Sequence, residues 1–252
     1  MPRTVPARRS RFESFPGWSV ALRVAILATG AMGTAGAQGA AIIDTRPTVA
    51  VFYFENAAIV DNAKYEPLRK GLATMLGYEM ARNSAIRVVE RDKLQALLAE
   101  QNLQNSDRVD QATAVRLGKL LGARHFVDGT FVIDGNKRVR IDVRAVNTET
   151  GQWDYVETIT GKVDRLLDLV GELGGKLNKG MKLPDIPIVK AGASASRGAN
   201  QERISQLLSR AEEEMDRGNA KYAAQLYRNV LALNKNYELA QNRLAVIEKM
   251  GK

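Results

Sequence analysis

The sequence contains few side chains that could carry out chemistry. His125 is the only histidine among 252 residues and there is no cysteine, which excludes a disulfide scaffold, a thiolate metal site and a thiol nucleophile. His125 falls within a predicted strand and has no second histidine to pair with, so we interpret it as structural. Asp128-Gly129 and Asp134-Gly135 could place carboxylates at one sheet edge, but Asp-Gly is first of all a turn or bulge dipeptide. We therefore predict no catalytic residue, no metal site and no cofactor.

The segment Gly171 to Gly175 is rich in glycine and invites comparison with a nucleotide-binding loop. It lies near the end of a predicted helix, whereas a nucleotide loop connects a strand to the start of a helix. The segment therefore cannot present backbone N–H groups to a phosphate.

Arg138, Arg140 and Arg144 alternate with apolar residues and so point from one face of a predicted strand. Such a stripe could contact phosphate, an anionic lipid surface or an acidic protein. Asp142 is interleaved with the arginines, which favours a solvated, self-neutralising sheet face instead. We keep Arg140 and Arg144 as candidate protein-contact residues. Nucleic acid is disfavoured because no aromatic side chains are interleaved with the basic ones.

The hydropathy pattern predicts an α/β domain over residues 47–182, an α+β sandwich of helices against a mixed sheet. Residues 48–55 are apolar on both alternating faces, as in a central strand covered on both sides. Further along the chain, strand patterns separated by turn residues, the clearest an alternation of apolar and polar residues over 138–146, predict a meander of three strands. Apolar residues spaced three and four apart predict the helices. The predicted order is β-α-β-α-α-β-β-β-α, with strands at 48–55, 86–89, 125–133, 138–146 and 153–160, and helices at 65–82, from 90, from 110 to 121 and at 163–179.

Residues 1–37 have the pattern of a cleaved secretory signal peptide, with a basic start, an apolar stretch and Ala35-Gly36-Ala37 before the cleavage point. A membrane anchor is the alternative. It is disfavoured because the apolar stretch after Arg23 is shorter than the about 20 residues that span a bilayer. Removing this segment would lower the formal net charge from +9 to +5, which weakens any argument from charge to an anionic partner.

Residues 183–200 are rich in proline, glycine, alanine and serine and are predicted to form a linker. Residues 201–252 are predicted to be helical, and their apolar spacing resembles a single tetratricopeptide repeat; a plain helical hairpin is the alternative. One repeat cannot bury a core alone, so we expect it to pack on the first domain, to oligomerise or to dock a partner's helix. Tyr222 and Tyr227 are its candidate protein-contact residues.

Five motifs in order resemble the CsgG family, whose namesake is the curli production assembly/transport component of the outer membrane. The motifs are V-A-V-F-Y-F-E-N at 49–56, V-V-E-R at 88–91, L-G-A at 121–123, D-G-T at 128–130 and V-N-x-x-T-G at 146–151. The resemblance covers about residues 47–180. It implies a periplasmic α/β domain.

The chain departs from that family in two respects. Family members that form the export pore carry long β-hairpins, one on each side of the V-N-x-x-T-G strand, but here those places hold a tight turn at 134–137 and a direct entry into a helix at 160–162. The pore formers are also anchored by an acylated cysteine, which this chain lacks. We therefore expect a soluble core without transmembrane hairpins and, after signal cleavage near Ala37, without an integral membrane span.

These observations predict a soluble periplasmic protein, not an enzyme, that acts by protein–protein contact in outer-membrane export or assembly of extracellular or envelope components. Its partners would be proteins of the outer membrane or periplasm, or further copies of itself. The alternative is a periplasmic activator of a peptidoglycan synthase. A third hypothesis, an enzyme using Asp128 and Asp134, has the least support.

Overall fold

The computed structural model describes residues 44–103, 109–184 and 199–250. The predicted signal peptide and most of the predicted linker therefore lie outside the described residues. The strands are β1 (Thr48–Asn56), β2 (Arg87–Val88), β3 (His125–Ile133), β4 (Arg138–Asn147) and β5 (Trp153–Lys162). The helices are α1 (Asn62–Tyr65), α2 (Leu68–Ala81), α3 (Arg91–Glu100), α4 (Gln111–Leu120), α5 (Leu166–Gly180), α6 (Ala199–Asp216), α7 (Ala220–Leu233) and α8 (Glu238–Met250), with a 3-10 turn at Val163–Arg165 before α5.

The five strands form one mixed sheet in the order β2-β1-β3-β4-β5. β1 is parallel to β2 and β3, while β3, β4 and β5 form an antiparallel meander. The first six residues of β1 are at most 8% exposed, which confirms a strand covered on both faces. The predicted order of elements and the mixed sheet are confirmed; among the described residues, the structure adds α1 and the 3-10 turn.

Local capping signals in the sequence determine the ends of α4. Asp110 precedes the helix in an extended conformation, and its carboxylate accepts a hydrogen bond from the Thr113 N–H at 2.6 Å. Gly122 follows the helix with φ +62°, a left-handed conformation that favours glycine. Both features agree with the prediction from the sequence.

The connection between β3 and β4 and the one after β5, where pore-forming members of the CsgG family carry long hairpins, are both short. Asp134 accepts hydrogen bonds from the backbone N–H groups of Asn136 and Arg138, both at 2.9 Å, and so closes a tight turn between β3 and β4. β5 ends at Lys162 and passes directly into the 3-10 turn. Neither of these two described connections therefore contains a long β-hairpin.

Helices α6 to α8 pack on the α/β core, the first of the three arrangements considered for them. Ser209 of α6 approaches Gly71 of α2 so closely that a Cβ atom on Gly71 would lie 2.8 Å from the Ser209 Cα. Residues from Asp44 onwards form one compact unit. The comparison with a tetratricopeptide repeat remains a prediction, because three helices alone do not establish the repeat.

Candidate protein-contact surface

The two faces of the β4–β5 hairpin differ in what covers them. On one face, α5 covers β5: Leu169 packs on Gly161, and Lys176 binds the Glu157 carboxylate at 3.2 Å. The alternate residues of β4, from Val139 to Ala145, are also buried on this side. The opposite face carries the predicted arginines of β4 together with Val156, Thr158 and Thr160 of β5, and we call it the open face.

Arg144 is held firmly on the open face. Its guanidinium makes two hydrogen bonds to the buried Asp128 carboxylate, one of them Nη2 to Oδ2 at 3.0 Å, and a third to the Val109 carbonyl at 3.1 Å. It also lies 4.7 Å from the centre of the Trp153 ring. The hydrogen bond to Asp128 is the largest contribution to a raised Arg144 pKa. Arg144 is therefore a fixed cation beside an exposed aromatic ring.

Arg140 is the more exposed of the two predicted arginines, with 59% of its side chain accessible. Its Nε donates to the Asp142 carboxylate at 2.9 Å, and Thr158 donates to the same carboxylate oxygen at 2.6 Å. Arg144 and Arg140 are thus paired with different carboxylates: Arg144 binds Asp128 and Arg140 binds Asp142. The open face is a neutral, interleaved surface, as the position of Asp142 in the sequence indicated.

Exposed apolar side chains interrupt this neutral surface. Val156 of β5 is 64% exposed and Trp153 is 39% exposed, although both belong to residue types that are usually covered in a sheet. Tryptophan and arginine are also the residues most enriched at the centres of protein interfaces. These side chains make the open face a candidate protein-contact surface.

Asp128 and Asp134, the acids of the enzyme hypothesis, both have structural partners. Asp128 is 5% exposed and binds Arg144, whereas Asp134 closes the turn before β4. Within residues 44–103, 109–184 and 199–250, no group of acidic and histidine side chains is arranged to hold a metal ion.

The two predicted tyrosines occupy different environments. Tyr222 of α7 is 44% exposed and available for contact. Tyr227 is fully buried, and its hydroxyl donates to Glu212 at 2.7 Å. Its assignment as a surface residue therefore needs correction: Tyr227 cannot touch a partner unless the helices separate, because it fills the space between α6 and α7.

Glu212 is the centre of a buried ionic cluster that sequence analysis did not identify. Its carboxylate accepts hydrogen bonds from Arg243 of α8 at 2.6 and 2.9 Å and lies 3.2 Å from Arg91 at the start of α3. Desolvation by burial would raise the pKa of Glu212, but Arg243, Arg91 and the hydrogen bond from Tyr227 lower it overall. Glu212 therefore stays ionised and joins the C-terminal helices to the α/β core.

A signal for this cluster was present in the sequence. Glu212 follows Ile204 and Leu208 at intervals of eight and four residues, so it falls on the buried stripe of α6. A glutamate on such a stripe indicates a buried cationic partner. Sequence alone could not name Arg91 and Arg243, because they are distant along the chain.

His125, the first residue of β3, makes a polar contact with Asp154 near the start of β5. Its Nδ1 lies 2.6 Å from the Asp154 carboxylate. Burial lowers the pKa of His125 below its ordinary value, and the opposing effect of Asp154 does not reverse the shift. Arg124 also lowers this pKa, while Glu149 raises it.

We predict that this histidine makes folding stability depend on pH near neutrality. In the unfolded chain its pKa is near 6.5, so the unfolded state takes up a proton first as the pH falls. The free energy of unfolding should therefore decrease from pH 7.5 to pH 5.5, and urea unfolding at the two pH values measures it. The change should be smaller in His125→Gln, because the chain contains no other histidine. An equal change in both proteins would contradict this role for His125.

The fold and the surface together define an α+β domain with one open sheet face and a C-terminal helical layer fixed by a buried ionic cluster. Residues 35–136 match the family model of CsgG, the curli production assembly/transport component. The resemblance to the CsgG family that the motifs indicated is thus confirmed over this range, which ends in the turn before β4. No curated protein matches the chain.

Several solved structures are similar to the chain at low identity. The LpoB C-terminal domain from Escherichia coli is 13% identical, with coverage of 50% of this chain and 89% of that chain and a TM-score of 0.36. Lipoprotein GNA1162 from Neisseria meningitidis is 11% identical, with coverage of 52% and 95% and a TM-score of 0.38. The PelC dodecamer from Paraburkholderia phytofirmans is 15% identical, with coverage of 54% and 88% and a TM-score of 0.31. At these values the structures assign no function to this chain.

None of the helices in the described part of the chain is both long and apolar enough to cross a membrane.

Proposed function

We propose that this is a non-enzymatic periplasmic protein that acts by protein–protein contact in outer-membrane export or assembly of extracellular or envelope components. The family match over residues 35–136 supports a role in such a system. The signal-like segment at residues 1–37 supports export from the cytoplasm.

The observation that carries the proposal is the open face of β4 and β5. A partner that covers this face would bury the exposed apolar surface of Val156 and Trp153. The partner would also contact Arg144, whose guanidinium is already oriented by Asp128. Because Arg144 is fixed before binding, little side-chain entropy is lost on association. Arg140 lies at the exposed part of this face and would contact the partner directly.

Reversal of one exposed charge on the open face tests this proposal in cells. The full-length protein would be crosslinked mildly in the periplasm and purified, and the covalently attached proteins identified. Arg140→Glu should reduce the yield of the attached partner, because it places a repulsive charge in the contact. Arg228→Glu is the matched control, since Arg228 of α7 has the same 59% exposure of its side chain.

The outcomes separate the alternatives. Loss of the partner in Arg140→Glu but not in Arg228→Glu supports contact through the open face. A protein that always emerges alone contradicts the proposal. A partner identified as a peptidoglycan synthase would replace the export role with that of a cell-wall enzyme activator.

A further inference from the structure

The start of β5 contains one residue more than the part of β4 with which it pairs. Val156 lies opposite Arg144, whereas Trp153 lies opposite Val146, so three steps along β5 match two steps along β4. The extra residue, at the register shift, is Asp154. This arrangement is a β-bulge, which bends a strand and changes the direction of the neighbouring side chains.

The bulge decides which side chain reaches the open face. Side chains of a regular strand alternate between two faces, and Val156 is on the open face. Uninterrupted alternation would therefore place Asp154 on the open face and Trp153 on the opposite one. With the bulge, the Trp153 ring lies on the open face instead, its centre 4.7 Å from the Arg144 guanidinium carbon. One extra residue thus exchanges an aspartate for a tryptophan on this surface.

His125 binds the extra residue from the other face of the sheet. Asp128 lies three residues after His125 in the regular pairing of β3 with β4 and binds Arg144 on the open face, so His125 points to the opposite face. The His125 Nδ1 lies 2.6 Å from a carboxylate oxygen of Asp154. A carboxylate only accepts hydrogen bonds, so the imidazole N–H donates. The His125 side chain is 5% exposed, and the fold therefore fixes its position.

The turn before β5 confines the extra residue to the place where His125 binds it. The Asn147 N–H donates to the Gln152 carbonyl at 2.8 Å and fixes the hairpin up to Gln152. Regular pairing with β4 fixes the strand from Tyr155 onwards. We propose that the hydrogen bond between His125 and Asp154 holds the bulge between these two fixed parts, and so keeps Trp153 on the open face beside Arg144.

His125 and Asp154 are then positioning residues for the protein contact, a consequence that rests on the proposed function. Trp153 supplies a large, rigid apolar surface, and a ring held in place before binding loses little entropy on association. Without the His125–Asp154 hydrogen bond the ring would leave its place against Arg144. A partner would then bind more weakly, although no residue that it touches had been changed.

Tryptophan fluorescence tests the positioning directly, because the chain contains two tryptophans, Trp18 and Trp153. In the full-length protein with Trp18→Phe, acrylamide quenching measures the accessibility of the Trp153 ring alone. Asp154→Ala should raise the Stern–Volmer constant by at least half, because the ring is released from Arg144. Asp154→Asn keeps an oxygen that accepts from His125 and should preserve the natural value. The Asp154 side chain is 25% exposed, so both variants should fold, which circular dichroism checks.

Two comparisons separate positioning from a general loosening of the hairpin. Glu149→Ala removes a carboxylate with 69% exposure of its side chain from the preceding turn and should leave the quenching unchanged. His125→Leu removes the donor and should raise the quenching as Asp154→Ala does, with no further rise in the double variant, because both changes break the same hydrogen bond. Natural quenching in Asp154→Ala, or an equal rise in Glu149→Ala, would overturn the proposal.

Mild crosslinking in the periplasm separates this inference from the proposed function. The yield of the attached partner should fall at least threefold in Asp154→Ala and should stay at the natural level in Asp154→Asn. An unchanged yield in Asp154→Ala, together with raised quenching, would overturn the role of Trp153 in the contact. If the natural protein attaches no partner, the proposed function fails, and the quenching still decides whether His125 and Asp154 position Trp153.

Discussion

Replacement of Glu212 by alanine should lower the free energy of unfolding by about 3 to 5 kcal/mol, the range observed when one partner of a buried ion pair is removed. The change leaves Arg243 without the carboxylate that binds it and Arg91 with Asp216 at 2.5 Å, while both arginines remain mostly buried. Tyr227 also loses its acceptor. Urea unfolding of the full chain measures the effect. Hydrogen exchange should show that protection is lost first in α6 to α8.

Glu213→Ala is the matched control for this prediction. Glu213 is the next residue of the same helix, and its carboxylate pairs at 2.6 Å with Arg217, whose side chain is 56% exposed. Such a surface pair contributes about 1 kcal/mol or less. If Glu212→Ala destabilised the protein no more than Glu213→Ala, the ionic cluster would not be what fixes the C-terminal helices.

Gly71→Ala should destabilise the contact between α2 and α6 by about 1 to 3 kcal/mol, as overpacking of a close contact does. The added methyl group would lie 2.8 Å from the Ser209 Cα and closer still to its side chain, so α6 must move away from α2. Urea unfolding measures the loss, and Ser209→Gly in the same chain should recover part of it.

Gly175→Ala in α5 provides a control of opposite sign. Apart from its chain neighbours and the nearby backbone of α5, no described atom lies within 4 Å of the position that its Cβ would take. Alanine in a helix is favoured over glycine by about 1 kcal/mol, so this variant should be slightly more stable than the natural protein. Destabilisation of the two glycine variants by similar amounts would contradict the assignment of the loss at Gly71 to its contact with Ser209.

Local patterns were sufficient to predict the α/β core. The five strands and the helices between them follow from alternation and from apolar residues three and four apart, which the burial of β1 and the cap at Asp110 confirm. These signals are local in the chain, because each strand or helix must present one apolar face to the core. Element ends were less predictable: β5 continues to Lys162, two residues beyond its predicted end.

Contacts between distant residues could not be predicted in the same way. Tyr227 was assigned to a surface because an aromatic residue on an amphipathic helix can point either outward or inward, and only the position of Glu212 on α6 decides the question. Similarly, Gly71 appears in the sequence as an ordinary weak point of a helix. The structure shows why the position requires glycine: Ser209 of α6 packs directly against it.

The candidate surface was predicted in part. The alternation of β4 placed Arg140 and Arg144 on one face, and Asp142 indicated that the face would be neutral. Nothing in the sequence paired Arg144 with Asp128, because the register between β3 and β4 brings these residues together across the turn. That pairing changes Arg144 from a mobile cation into a fixed one.

The central claim is that the open face contacts another protein in the envelope. A photo-crosslinking amino acid at Arg140 of the full-length protein, expressed in its own cells and irradiated there, tests it most directly. If the open face contacts another protein, a covalent adduct should form at Arg140 whose added mass belongs to a protein other than this one. The same substitution at Arg228, which is equally exposed on α7, should give much less of that adduct. No adduct at Arg140, or equal amounts at both positions, would contradict it.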